Sequence, residues 1–114
     1  MAYDEQLAER VRQALAPRRN VREKKMFGGV CYMVGEHMAC GVVDDKLMVR
    51  LTPEECVARL REPHVGPMDF TGRPLRGFLF VHASGTKTNT QLKRWVERAA
   101  VFAETQPAKK KTRR

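Results

Sequence analysis

The sequence predicts a two-layer α+β domain: an antiparallel β-meander with helices packed on one face, in the rough order α-β(3-4)-α-β(1-2)-α. Three observations lead there. Short apolar runs are separated by the two-residue turns Gly35-Glu36 and Asp44-Asp45, the spacing of consecutive hairpins. Two helix-start signatures, Thr52-Pro53-Glu54-Glu55 and Thr88-Asn89-Thr90-Gln91, bracket the later part of the chain. The length of 114 residues suits one domain, large enough for a core without metal or disulfide staples.

Tyr3 to Ala16 reads as the first helix. Leu7, Val11, Ala14 and Leu15 recur at helical spacing, and Pro17 ends the run. Acidic residues early (Asp4, Glu5, Glu9) and basic ones late (Arg10, Arg12) suit the helix dipole. Val21 to Met26 is a strand charged enough to lie at a sheet edge. Gly28-Gly29 then breaks the pattern. It lacks the spacing of a nucleotide-binding loop and opens a strand, so it reads as a turn or bulge.

Val30 to Val34, His37 to Val43 and Lys46 to Leu51 are three adjoining strands. Glycine at the first turn position suits a type II′ hairpin. With two residues in each turn, Cys31 is expected opposite Cys40, Met33 opposite Met38, Val42 opposite Leu47, Cys40 opposite Val49 and Met38 opposite Leu51. One face then carries Cys31, Met33, Met38, Cys40, Val42, Leu47, Val49 and Leu51, all apolar, while the other is mixed.

The second helix should run from Pro53 to about Arg61, with Val57 and Leu60 anchoring its inner face, and stop before Pro63. Pro63 to Gly77 is rich in proline and glycine. Met68 to Phe70 reads as a short strand, Thr71 to Pro74 as a turn and Phe78 to His82 as a strand. The last helix continues to about Thr105 with Leu92, Trp95, Val96, Ala99, Phe102 and Ala103 as its apolar stripe. The domain is expected over residues 1–106, with 107–114 a basic, disordered tail.

The order and spacing of several motifs resemble the TfoX N-terminal domain family. They are Lys25-Met26-Phe27-Gly28-Gly29, Cys40-Gly41-Val42, Leu47-Met48-Val49-Arg50, and Met68-Asp69-Phe70-Thr71-Gly72-Arg73-Pro74 followed by Gly77-Phe78. The likeness spans Tyr3 to about Phe102. It implies a helix, an antiparallel meander, a helix, a returning strand pair and a closing helix. The family takes its name from regulators of natural DNA uptake, also called Sxy, which act in transcriptional activation. Those regulators carry a second, C-terminal domain that this sequence is expected to lack. The resemblance implies a regulatory or protein-interaction module and carries over no catalytic residue.

The formal net charge is +9, from 22 basic and 13 acidic residues. Lys109, Lys110, Lys111, Arg113 and Arg114 supply five positive charges in the last six positions. Without them the balance is 17 basic against 13 acidic, so the body of the chain is only mildly basic. Such a tail is commonly a solvated end; it is also the candidate for weak, salt-sensitive nucleic-acid contact. No apolar run approaches the roughly 20 residues of a membrane span, and the first residues are acidic rather than signal-like. A cytoplasmic protein without membrane contact is expected, as a monomer or homodimer with an unidentified protein partner.

The chemistry the sequence offers is sparse. The odd count of three cysteines argues against a disulfide framework. Cys31 and Cys40, as expected neighbours, form a candidate thiol pair for redox or small-ligand chemistry; the plainer reading is two reduced, buried thiols. Cys56 lies in the first turn of a helix, which favours a thiolate, but Glu54 and Glu55 oppose it. His37, His64 and His82 share no metal-ligand spacing with one another or with the cysteines, and His37 is expected across the sheet from Cys31 and Cys40. No metal, cofactor or catalytic constellation is therefore expected. The long loop from Pro63 to Gly77, with Arg73 and Arg76, is the candidate interaction loop; it reads equally as a structural connection.

Overall fold

A computed structural model describes residues 3–26, 28–69 and 74–106. Helix α1 spans Glu5–Leu15, strands β1 Val21–Met26, β2 Gly29–Val34, β3 His37–Val43 and β4 Lys46–Arg50. Helix α2 is Pro53–Arg59, strands β5 and β6 are Val65–Asp69 and Pro74–Val81, and helix α3 is Asn89–Thr105 after a single 3₁₀ turn at Ala83–Gly85. The six strands form one antiparallel sheet in the order β1-β2-β3-β4-β6-β5. The α+β class and the helix-meander-helix-strand-strand-helix order are those the sequence predicts.

The helix starts follow local chemistry. Asp4, not Tyr3, opens α1: its carboxylate accepts from the backbone N–H of Gln6 at 2.9 Å and Leu7 at 3.1 Å. Thr52 caps α2 by accepting from the Glu55 N–H. Thr88 and Gln91 form a complete capping box on α3, both bonds being 3.1 Å. Leu7, Ala8, Val11 and Leu15 of α1 and Leu92, Trp95, Val96, Ala99, Ala100 and Ala103 of α3 are buried. They pack on a sheet face built from Val30, Tyr32, Val34, Cys40, Val42, Leu47, Val49, Leu79 and Val81.

The second hairpin keeps its expected register at Val42 opposite Leu47 and Cys40 opposite Val49. The expected pairing of Met38 with Leu51 does not form: β4 ends at Arg50, Leu51 joins the helix-side core and Met38 packs against a cluster on the far side of the sheet. The first hairpin departs further. Met33 opposes Met38 as expected, but Tyr32, not Cys31, opposes Cys40, and Cys31 opposes Gly41. The ladder shifts between Tyr32 and Met33, leaving Ala39 as one extra residue on β3, a β-bulge. The bulge reverses the predicted facing of β2. Val30, Tyr32 and Val34 turn toward the helices, while Cys31 joins Val43, Met48 and Phe80 in a smaller apolar cluster on the far side. The reward for this phase is the placement of Tyr32, whose buried hydroxyl donates to the Ala8 carbonyl of α1 at 3.1 Å. Gly41 fits because nothing larger can: a Cβ there would lie 2.6 Å from the Val30 carbonyl oxygen.

The turn glycine Gly35 has φ +64°, the hand a type II′ turn requires at its first position. Helix α2 buries Cys56, whereas Val57 is 66% and Leu60 40% exposed, so the predicted anchors of that helix point outward. Seven residues give barely two turns, and one small side chain supplies the inner contact. The strand expected at Met68 to Phe70 instead begins at Val65 and ends at Asp69, and β6 begins four residues earlier than Phe78. Of the turn predicted at Thr71 to Pro74, residues 71–73 lie outside the described residues and Pro74 opens β6; the basic tail also lies outside them.

Candidate functional site

The three thiols sit in places that quiet them. Cys31 and Cys40 are free and buried on opposite faces of the sheet, as the bulge dictates, so the expected cross-strand thiol pair does not form. Burial pushes the Cys31 thiol up to about 11 and the Cys40 thiol up to about 12. The Cys56 thiol is also raised by burial, against the Leu51 carbonyl nearby. Protonated and enclosed, these sulfurs act as small core hydrophobes.

The histidines are spread over the molecule. His37 opposes Val34 at the end of the first hairpin and lines a cleft with Ala103 and Gln106; it lies on the Cys40 side of the sheet, across from Cys31 alone. His64 and Ser84 meet at 2.8 Å (Nδ1 to Oγ), a contact between residues 20 apart that no motif signals. The His82 N–H donates to the His64 carbonyl, and His82 itself is exposed. Among the described residues no three metal-ligating side chains converge. Among the described residues, open clefts of about 210, 280 and 340 Å³ groove the helix layer and its margins, near the small end of the roughly 300–1,000 Å³ range of small-molecule sites. Of the predicted interaction loop, Arg76 falls within β6 and Arg73 outside the described residues; Lys109, Lys110, Lys111, Arg113 and Arg114 lie outside them too.

The richest chemistry on the described surface is carried by arginines along α3. On one flank Arg18 grips two glutamates of the helix. Its Nη1 and Nη2 donate to the two carboxylate oxygens of Glu97 at 3.3 and 3.1 Å, and its Nε to Glu104 at 2.9 Å. These carboxylates raise its pKa above the ordinary arginine value.

The other flank faces α2. Arg98 lays its guanidinium over the Trp95 ring, 4.7 Å from the centroid, and Arg50 at the end of β4 lies 5.4 Å over Phe102. Across from Arg98, Arg59 of α2 holds Glu62 at 2.9 Å and Glu55 at 3.4 Å. With those carboxylates committed, Arg50, Arg94 and Arg98 form no ion pair among the described residues. Burial and the neighbouring Arg59 push Arg98 below the ordinary arginine value. Its Nη1 is buried without an acceptor, as is Nε of Arg59. Sequence reading missed this flank, because it arises where β4, α2 and α3 meet.

With the elements and register in place, the comparison with known families is decisive. The model of the TfoX N-terminal domain matches residues 13–103, most of the chain. The chain belongs to the TfoX N-terminal domain family. The match runs from within α1 to the last turns of α3, so all six strands and α2 fall inside it. No curated protein and no solved structure matches the chain. Within this TfoX-type domain, no helix of the described residues is long and apolar enough to cross a membrane.

Proposed function

We propose that this chain is a non-catalytic regulatory or protein-interaction module of the TfoX N-terminal kind, working in the cytoplasm through a protein partner and linked to transcriptional regulation. The observation that carries this reading is the family match over residues 13–103. The test is made in the host that expresses the chain. A tagged full chain, crosslinked before lysis, should recover one stoichiometric protein, and deleting its gene should change a defined set of transcripts. Neither effect, or a turnover activity in the purified chain, would overturn the reading.

A second reading is weak nucleic-acid binding through Lys109, Lys110, Lys111, Arg113 and Arg114, favoured by the concentration of charge there. Affinity for duplex DNA should then fall steeply with salt and largely disappear when all five are changed to glutamine. Salt-resistant, sequence-specific binding by the changed chain would refute the tail as its source.

A further inference from the structure

The α3 flank that faces α2 combines three features seldom left together without a use. It carries cations that form no ion pair among the described residues, aromatic faces beneath them and an exposed apolar side chain beside them. Arg94, Arg98 and Phe102 follow one another at four-residue steps along α3, each about 6 Å further along the axis. Arg50 adds its guanidinium above Phe102, so three positive groups follow the same line. Val101, three residues beyond Arg98, is 43% exposed on the same side. The carboxylates nearest this line, Glu55 and Glu62, are already held by Arg59.

We infer that this flank is a docking surface for an acidic and apolar segment of a protein partner, whose carboxylates pair with Arg98, Arg50 and Arg94 over the Trp95 and Phe102 rings. The inference rests on the interaction-module reading and gives that module a place to bind.

Three physical arguments support the occupant. A planar guanidinium stacked on an aromatic ring is already oriented, so a carboxylate can accept two N–H bonds with little further ordering. An extended segment presents alternate side chains about 6.5 to 7 Å apart, close to the spacing of the guanidinium line. A carboxylate here also adds counter-charge beside Arg98, whose pKa is lowered first by desolvation and then by Arg59 and Arg94, against the pull of Glu62 and Glu55. A polyphosphate fits less well. It brings charge at every unit and offers nothing apolar to Val101. An acidic segment with interspersed apolar residues meets the cations and also offers apolar surface to Val101.

Trp95 is the one tryptophan of the chain, so its emission reports on this surface and not on the basic tail. The test titrates the full chain with a blocked octapeptide alternating glutamate and leucine. Parallel arms use the same peptide with glutamine for glutamate, and an eight-nucleotide oligothymidylate. The glutamate peptide should shift Trp95 emission and the Arg98 Nε–Hε resonance saturably. Arg98→Gln and Arg50→Gln should each weaken binding about tenfold, with unchanged circular dichroism and melting, and Arg98→Lys should recover part of the loss. Equal binding of the glutamine peptide, a tighter response to the oligothymidylate, or a Trp95 signal unmoved by millimolar peptide would each overturn the inference. The crosslinked partner separates this claim from the broader one. A partner still held by Arg98→Gln and Arg50→Gln chains refutes the surface and leaves the module standing; no partner at all refutes the module.

Discussion

The two long flanks of α3 carry the same residue type to opposite ends. Arg18 is satisfied: two glutamates of the helix neutralise it and tie the α1–β1 connection to α3. Arg98 has an aromatic ring beneath it and forms no ion pair among the described residues, Arg59 holding Glu55 and Glu62 instead. An arginine whose charge is balanced within the fold contributes to holding it; one left unbalanced contributes little or slightly opposes folding. That difference, more than exposure, separates a structural cation from one free to meet something else.

The largest expected effect removes the platform common to the second flank and the core. Trp95 is 5% exposed, and Trp95→Ala should lower unfolding free energy by about 3–5 kcal/mol in urea titration. It should also release Arg98 from its fixed pose, seen as narrowing and averaging of its side-chain resonances. A smaller loss follows from the satisfied flank. Arg18→Met should cost about 0.5–1 kcal/mol, since its glutamate partners are largely solvated. A double-mutant cycle with Glu97→Gln should return most of that as coupling, and a coupling near zero would dissolve the contrast.

The sharpest comparison is one of sign. Arg98→Met should leave stability unchanged or raise it by up to about 1 kcal/mol, because an unbalanced and partly desolvated cation is replaced by an apolar chain that still covers Trp95. A loss as large as that of Arg18→Met would show that both arginines are structural. The smallest effect is that of salt. Raising sodium chloride from 0.05 to 0.5 M should shrink the two substitution effects toward each other by a few tenths of a kcal/mol, as attraction on one flank and repulsion on the other are screened.

These flanks also mark the limit of what the sequence discloses. Element order, the helix caps and most of the β3–β4 register were legible because each is written in neighbouring residues: Thr88 with Gln91, or Val42 and Leu47 across a two-residue turn. The β2–β3 register was not. Val30, Cys31, Tyr32, Met33 and Val34 are all apolar, so polarity cannot say which faces inward, and turn counting misses a bulge at Ala39. Val57 and Leu60 were misassigned for a related reason, since so short a helix offers no period from which to read a face. The Arg98 surface was invisible altogether. Arg59 lies nine residues after Arg50, but Arg98 lies 39 beyond Arg59, and only the folded arrangement of β4, α2 and α3 brings Arg98 near Arg59.

The sheet margins have a consequence of their own. Growth of a β-assembly must start from an unpaired strand, and both outermost strands here discourage it. One, β1, reads Val-Arg-Glu-Lys-Lys-Met, so a second copy laid against it would set cation beside cation. The other, β5, contains Pro67, which has no N–H to offer a newcomer. Crowded together at high concentration, these molecules should resist zipping into fibrils and remain separate.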